Sequence, residues 1–145
     1  MKRISVGFTG TQVGMNINQR IIVDAFLRRL KPTEVHHGDC IGADTDFHNI
    51  CKALNTNIII HPPIIETKRG FNYSEFIHHP KDYLVRNHDI VDASDWLFAT
   101  PKENEEVLRS GTWATIRYAK KHLQKQRVII IKPEKDKNNS FWEIF

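Results

Sequence analysis

Short apolar runs that alternate with stretches of helical period leave this chain few folds to choose from. Arg3–Phe8, Glu34–His37, Asn57–Ile60, Asp95–Ala99 and Val128–Ile131 each read as a strand. Between them the period changes. Ile21, Ile22, Ala25, Phe26 and Arg29 or Leu30 form a helical stripe, which Asn16 or Asn18 would cap and Pro32 ends. Phe47, Ile50, Cys51 and Leu54 fall at i, i+3, i+4 and i+7, and Asn55 stops that helix. Leu84, Asn87, Ile90 and Val91 share one side of a helix between Asp82 and Ser94. Thr112, Ile116, Ala119 and Leu123 recur at i, i+4, i+7 and i+11. Such alternation predicts one α/β domain over residues 1–145, with about five parallel strands and helices on both faces of the sheet. A chain of 145 residues is long enough to bury a real core.

Ligands in sheets of this kind bind at the carboxyl edge, where successive connections diverge to opposite faces. Three loops rich in small residues leave that edge: Thr9–Gly14, Gly38–Asp44 and Arg109–Thr112. The stretch 61–81 connects there as well. It holds three of the six prolines and little periodicity, and an irregular segment of that length is usually functional or mobile.

The junction Arg109-Ser110-Gly111-Thr112 is the best anion site. The first turn of a helix leaves backbone N–H groups without acceptors and carries partial positive charge, so small residues there let a phosphate approach. Arg109 adds a permanent charge beside it. The competing reading is that Ser110 or Thr112 only caps the helix. Gly10 and Thr11, with Gln12 next to them, would admit a ligand close to the backbone after the first strand. The glycines there spell neither G-x-G-x-x-G nor a P-loop, so a generic nucleotide cradle is expected. In the second loop Cys40 and Gly42 accompany Asp39, which suits ribose hydroxyls, and Asp44, which serves a ligand or caps the next helix. Arg86 could reach over the sheet edge to a phosphate.

Other groupings are weaker. His36, His37, Asp39, Cys40, His61, His78 and His79 match no zinc spacing, and neither a metal nor a cofactor is expected. Cys40 lacks a local base that would make it a nucleophile. Trp113 should pack beneath the sheet edge rather than stack on a base. Phe71, Tyr73 and Phe76 are placed to cover a planar ligand if 61–81 folds over the site. Residues 133–145 form a tail whose Phe141, Trp142, Ile144 and Phe145 read as a docking element or subunit contact.

Composition sets the boundaries. Hydrophobic residues make up 40% and charged residues 26%, ordinary for a soluble globular protein. No apolar run approaches the roughly 20 residues that span a bilayer, and because Met1 to Ile4 run straight into a strand pattern no signal peptide is expected. Cys40 and Cys51 make no disulfide framework, so a cytoplasmic setting is expected. A net charge of +4 and pI near 9.1 favour anionic partners generally, while the lack of a basic block argues against nucleic acid.

Three pieces in order resemble the SLOG superfamily of Rossmann-like proteins, particularly its YspA/cpYpsA-like branch. They are Gly7-Phe8-Thr9-Gly10-Thr11, His37-Gly38-Asp39-Cys40-Ile41-Gly42-Ala43-Asp44, and the block Tyr83 to Ala119. That block keeps Arg86-Asn87, Ser94-Asp95, Ala99-x-Pro101 and Arg109-Ser110-Gly111-Thr112-Trp113 in sequence. The likeness spans Ile4 to Pro133. It implies binding of an ADP-ribose-like or NAD-derived nucleotide, possible cyclic forms included, by a sensor or sequestering protein that self-associates as a dimer or tetramer.

Two relatives within that resemblance bracket the activity. The LOG phosphoribohydrolases carry an arginine matching Arg86, and a glutamate implicated in N-glycosidic cleavage falls at Thr115 here. Without that carboxylate the chemistry lacks its obvious agent, which points away from an enzyme. A nucleotide hydrolase would need a displaced carboxylate, such as Asp39, Asp44 or a glutamate from 103–106. Ser110 to Thr115 is also similar to a segment of the single-stranded-DNA-binding DNA-processing protein A, the third reading.

Overall fold

The computed structural model describes residues 2–134. The tail residues Phe141 to Phe145 lie outside the described residues.

Six strands form one parallel sheet: β1 (Ser5–Gly10), β2 (Glu34–His37), β3 (Asn57–Ile60), β4 (Phe76–Ile77), β5 (Trp96–Thr100) and β6 (Val128–Ile130), in the order β4-β3-β2-β1-β5-β6. Four helices connect them: α1 (Ile17–Leu30), α2 (Ala43–Ala53), α3 (Tyr83–Asp92) and α4 (Gly111–His122). This is the Rossmann-like α/β architecture expected from the alternation. The extra strand, β4, lies inside 61–81. Two residues are too few to show a period, so only pairing with Ile59 and Ile60 reveals it.

Each face carries its own core. Val23, Phe26 and Leu27 of α1 and Phe47 and Cys51 of α2 pack on Val6, Phe8, Val35, Ile58, Ile60, Phe98 and Ile129. Opposite them, Val91 of α3 and Trp113, Ile116 and Ala119 of α4 cover Leu97, Ala99 and Val128. The alternating strand residues therefore supply both layers, as a sheet covered twice requires. Cys40 and Cys51 are free thiols, both buried. Among the described residues no helix is long and apolar enough to cross a membrane.

Two helices bury most of the stripe their periodicity suggested but not all of it: Asn87, Ile90 and Val91 of α3 and Phe26 of α1 are buried, and Ile22 and Leu30 pack partly buried against the core. In α1 the inward residues are Gln19, Val23, Phe26 and Leu27, while Ile21 is 62% exposed. Gln19 turns inward because its side-chain amide donates to Pro101 O (2.8 Å) and Ile131 O (2.9 Å), closing two carbonyls at the ends of neighbouring strands. Asn16, not Asn18, caps α1 in a reciprocal box with Gln19. In α3 the buried residues are Arg86, Asn87, Ile90 and Val91, and Leu84 is 61% exposed.

The sheet diverges between β1 and β5. From β1 the chain steps to β2 and β3 across the face bearing α1 and α2. From β5 it steps to β6 through α4 on the other face. The crevice above that divide is where the loops meet.

Candidate functional site

Thr11 is the knot. Its N–H donates to Thr100 O (3.2 Å), and its carbonyl accepts from Gly14 N (3.2 Å) and Ala43 N (2.9 Å). The loops after β1, β2 and β5 are thus stitched together by backbone alone. Gly42 makes the closest approach: it has φ 88°, and a Cβ there would lie 2.2 Å from Gln12 O. Only glycine tolerates both conditions.

Above this knot is a cavity of about 440 Å³ lined by Gly10, Thr11, Gln12, Val13, Tyr83, Lys102, Glu103, Val107 and Arg109-Ser110-Gly111-Thr112. Its size falls in the range of small-molecule sites. Seven of the sequence candidates therefore share one hollow: Gly10, Thr11, Gln12, Arg109, Ser110, Gly111 and Thr112. Ser110 caps α4, its hydroxyl accepting from Trp113 N (3.2 Å). The capping reading and the anion reading coexist, because the N–H groups of Gly111 and Thr112 still have no intrahelical acceptor. Lys102 and Arg109 are exposed on the cavity wall. Neither makes an ion pair among the described residues. Lys68 approaches the same rim, its Nζ 3.4 Å from Gln12 Oε1. The electrostatics favour an anion.

Five candidates stand behind this wall instead of lining it. Asp39 is fully buried and its carboxylate is committed: Oδ1 accepts from Asn72 N and Nδ2 (2.9 Å each) and Oδ2 from Arg69 Nε (3.2 Å). It clamps the 61–81 segment to the sheet edge, so the expected contact with ribose is replaced by a structural one. Gly42 supports the Gln12 backbone. Asp44 does not cap α2, whose N-cap is Gly42; its Oδ2 accepts from Cys40 N (3.1 Å). Burial pushes the Asp44 carboxyl up to about 6, against the pull of the nearby Arg86 charge. Burial, helped by Asp44, also raises the Cys40 thiol to about 11, so Cys40 is no nucleophile at neutral pH.

Arg86 is the fifth. It is 2% exposed, donates through Nη1 to Gly38 O (2.6 Å), and places both Nη atoms 3.6 Å from Cys40 Sγ. Tyr83 separates it from the cavity, its ring centroid 4.6 Å from the guanidinium carbon.

Three aromatic expectations sort differently. Trp113 is buried and packs under the edge, its Nε1 donating to Glu103 Oε1 (3.0 Å). Phe71, Tyr73 and Phe76 are exposed and do not line the cavity. Tyr83, Lys102, Val13 and Val107 are lining residues that motif reading missed. Tyr83 carried one signal: it begins a helix whose N-terminus faces the same edge as α4's.

Thr115, where the LOG glutamate would fall, is buried and its hydroxyl donates to Gly111 O (2.8 Å). It holds the first turn of α4 and brings no charge. Glu103 is the one carboxylate among the lining residues. Among the described residues, no group of three or more His, Cys, Asp or Glu could hold a metal.

No family model, curated protein or solved structure matches the chain. The chemistry of the site is read from its own geometry.

Proposed function

We propose that this protein binds a phosphorylated nucleotide or nucleotide-derived signal at the divide between β1 and β5, and senses or sequesters it without a dedicated catalytic group. The observation that carries this reading is the shared hollow: the first turn of α4, Arg109, Lys102 and the Gly10–Gln12 backbone all face one cavity. The order of motifs that resembles the SLOG superfamily supports the same ligand class. A phosphate would lie on the Gly111 and Thr112 amides with Arg109 beside it, and Val13 and Val107 offer apolar surface to the rest of the ligand. A few charge-assisted bonds of about 1.5–3 kcal/mol each support micromolar binding after ordering costs.

Calorimetric and thermal-shift screening of nucleoside phosphates, cyclic nucleotides and ADP-ribosyl compounds tests it. We expect at least one ligand, and a Kd raised about 10- to 100-fold by Arg109→Ala, whose fold is left intact because Arg109 is exposed. A screen with no ligand, or an Arg109→Ala variant that binds like the parent, sinks the reading.

Glu103 on the cavity wall favours a second reading, slow hydrolysis of the bound nucleotide. Mass spectrometry of the ligand after long incubation separates the two: conversion that Glu103→Gln abolishes makes it an enzyme, and an intact ligand makes it a binder.

A further inference from the structure

Arg86 is an expensive residue to bury in this way. Its guanidinium has no salt bridge among the described residues, its Nε has no hydrogen-bond partner, and two of its contacts go to a thiol, a poor acceptor. Asp44, the buried carboxyl that feels its charge, makes no ion pair with it, and a sealed cation without a direct anionic partner is costly. What seals it toward the cavity is Tyr83. One contact of the ring is the guanidinium, at 4.6 Å. Another is the start of α4, where a Cβ on Gly111 would lie 2.6 Å from Tyr83 Cε1 and 2.8 Å from its hydroxyl oxygen. The ring therefore occupies the space between the first-turn amides and the buried arginine. Tyr83 is also the first residue of α3, behind an Asp82 whose side chain makes no capping bond, and it is 37% exposed. Its side chain can change rotamer without dismantling a helical turn.

We propose that the cavity has a second anionic subsite at Arg86, closed by the Tyr83 ring and opened when that ring swings outward, which makes Tyr83 the residue that selects ligands bearing two linked anionic groups. The inference rests on the anion pocket proposed above. A single phosphate needs only the α4 amides and Arg109. A diphosphate places its second group where the ring now stands, and there it meets a cation already stripped of water.

The experiment compares orthophosphate with pyrophosphate, by calorimetry and by the arginine side-chain Nε–Hε resonances in a 15N-correlated NMR spectrum, with the Arg86 signal assigned by through-bond correlation to its own backbone in the wild-type protein. Expected is a pyrophosphate-dependent shift of the Arg86 Nε resonance together with the Gly111 and Thr112 amides, whereas orthophosphate shifts the amides alone. Tyr83→Ala should strengthen pyrophosphate binding about fivefold or more and leave orthophosphate unchanged. If both probes move the α4 amides and neither moves Arg86 Nε, the subsite is refuted while the pocket stands. If Tyr83→Ala weakens pyrophosphate binding, the ring is wall rather than door and the inference falls. If neither probe moves the α4 amides, the anion pocket fails and the subsite with it. The wild-type spectrum decides the matter even if a variant does not fold.

Discussion

At the residue scale the site depends on positions that cannot hold a side chain. Gly42 sits at φ 88° with its α-carbon against the Gln12 carbonyl. Gly42→Ala should cost about 1–3 kcal/mol in urea denaturation, from backbone strain and displacement of the β1 loop. The same variant should lose nucleotide affinity, because Gln12 and Thr11 move with that loop. The motif Gly42-Ala43-Asp44 could be read in the sequence as a turn of small residues, yet its role could not: whether the turn touches a ligand or braces the loop that does is decided by which atoms lie across from it. Asp39 shows the same limit. A carboxylate at a loop tip reads as a hydrogen-bond acceptor for any donor, and here the donors are Asn72 and Arg69, some thirty residues on.

At the element scale β2 concentrates the titratable groups of the interior. His37 accepts from Asp39 N at Nδ1 (2.9 Å), so its proton is on Nε2, 2.9 Å from His48 Nδ1. On the other face His36 pairs with Glu34 Oε2 (2.6 Å) and with His61 Nε2 (2.9 Å). Burial lowers the pKa of His36, His37 and His48, and burial and His36 bring His61 down to about 3. Groups whose folded pKa is depressed contribute stability that is whole above the unfolded value near 6.5 and is lost as the pH falls. Asp44, raised to about 6, acts in the opposite sense between its unfolded value and 6. Four histidines outweigh one carboxyl, so the midpoint temperature should fall steadily from pH 7 to pH 5, as calorimetry would show. A flat profile would contradict the neutral pairs. In α1, Gln19→Leu should cost about 2 kcal/mol by orphaning two carbonyls. It should also weaken ligand binding severalfold, because Pro101 anchors the loop that carries Lys102 and Glu103. Sequence periodicity identified α1 and the inward Ile22, Phe26 and Leu30, but it counted the exposed Ile21 with them and left out Gln19, since a glutamine serving two strand ends carries no hydrophobic signal.

At the scale of the whole molecule, the divide between β1 and β5 is held by three loops, and a ligand would bridge the two that line the cavity, those after β1 and β5. Ligand at about one hundred times its Kd should add about 2.7 kcal/mol, a rise of several degrees in midpoint temperature for a chain this size. Differential scanning fluorimetry reads it, and the gain should vanish in Arg109→Ala. A parallel sheet covered on both faces was legible in the alternation of periods, but its order was not, because a period says nothing of which strands are neighbours. The cavity's second wall was not, because Tyr83 and Lys102 come together with Gly10 only after two crossovers. One further consequence follows from the borders of the sheet. β4 offers two residues and then reaches Pro80 after His78-His79; β6 offers three and reaches Pro133 after Ile131-Lys132. Proline has no N–H to lend to an arriving strand. Each margin therefore gives an arriving strand only two or three residues to pair with before a proline is reached, a poor template for growth of the sheet from one copy into the next.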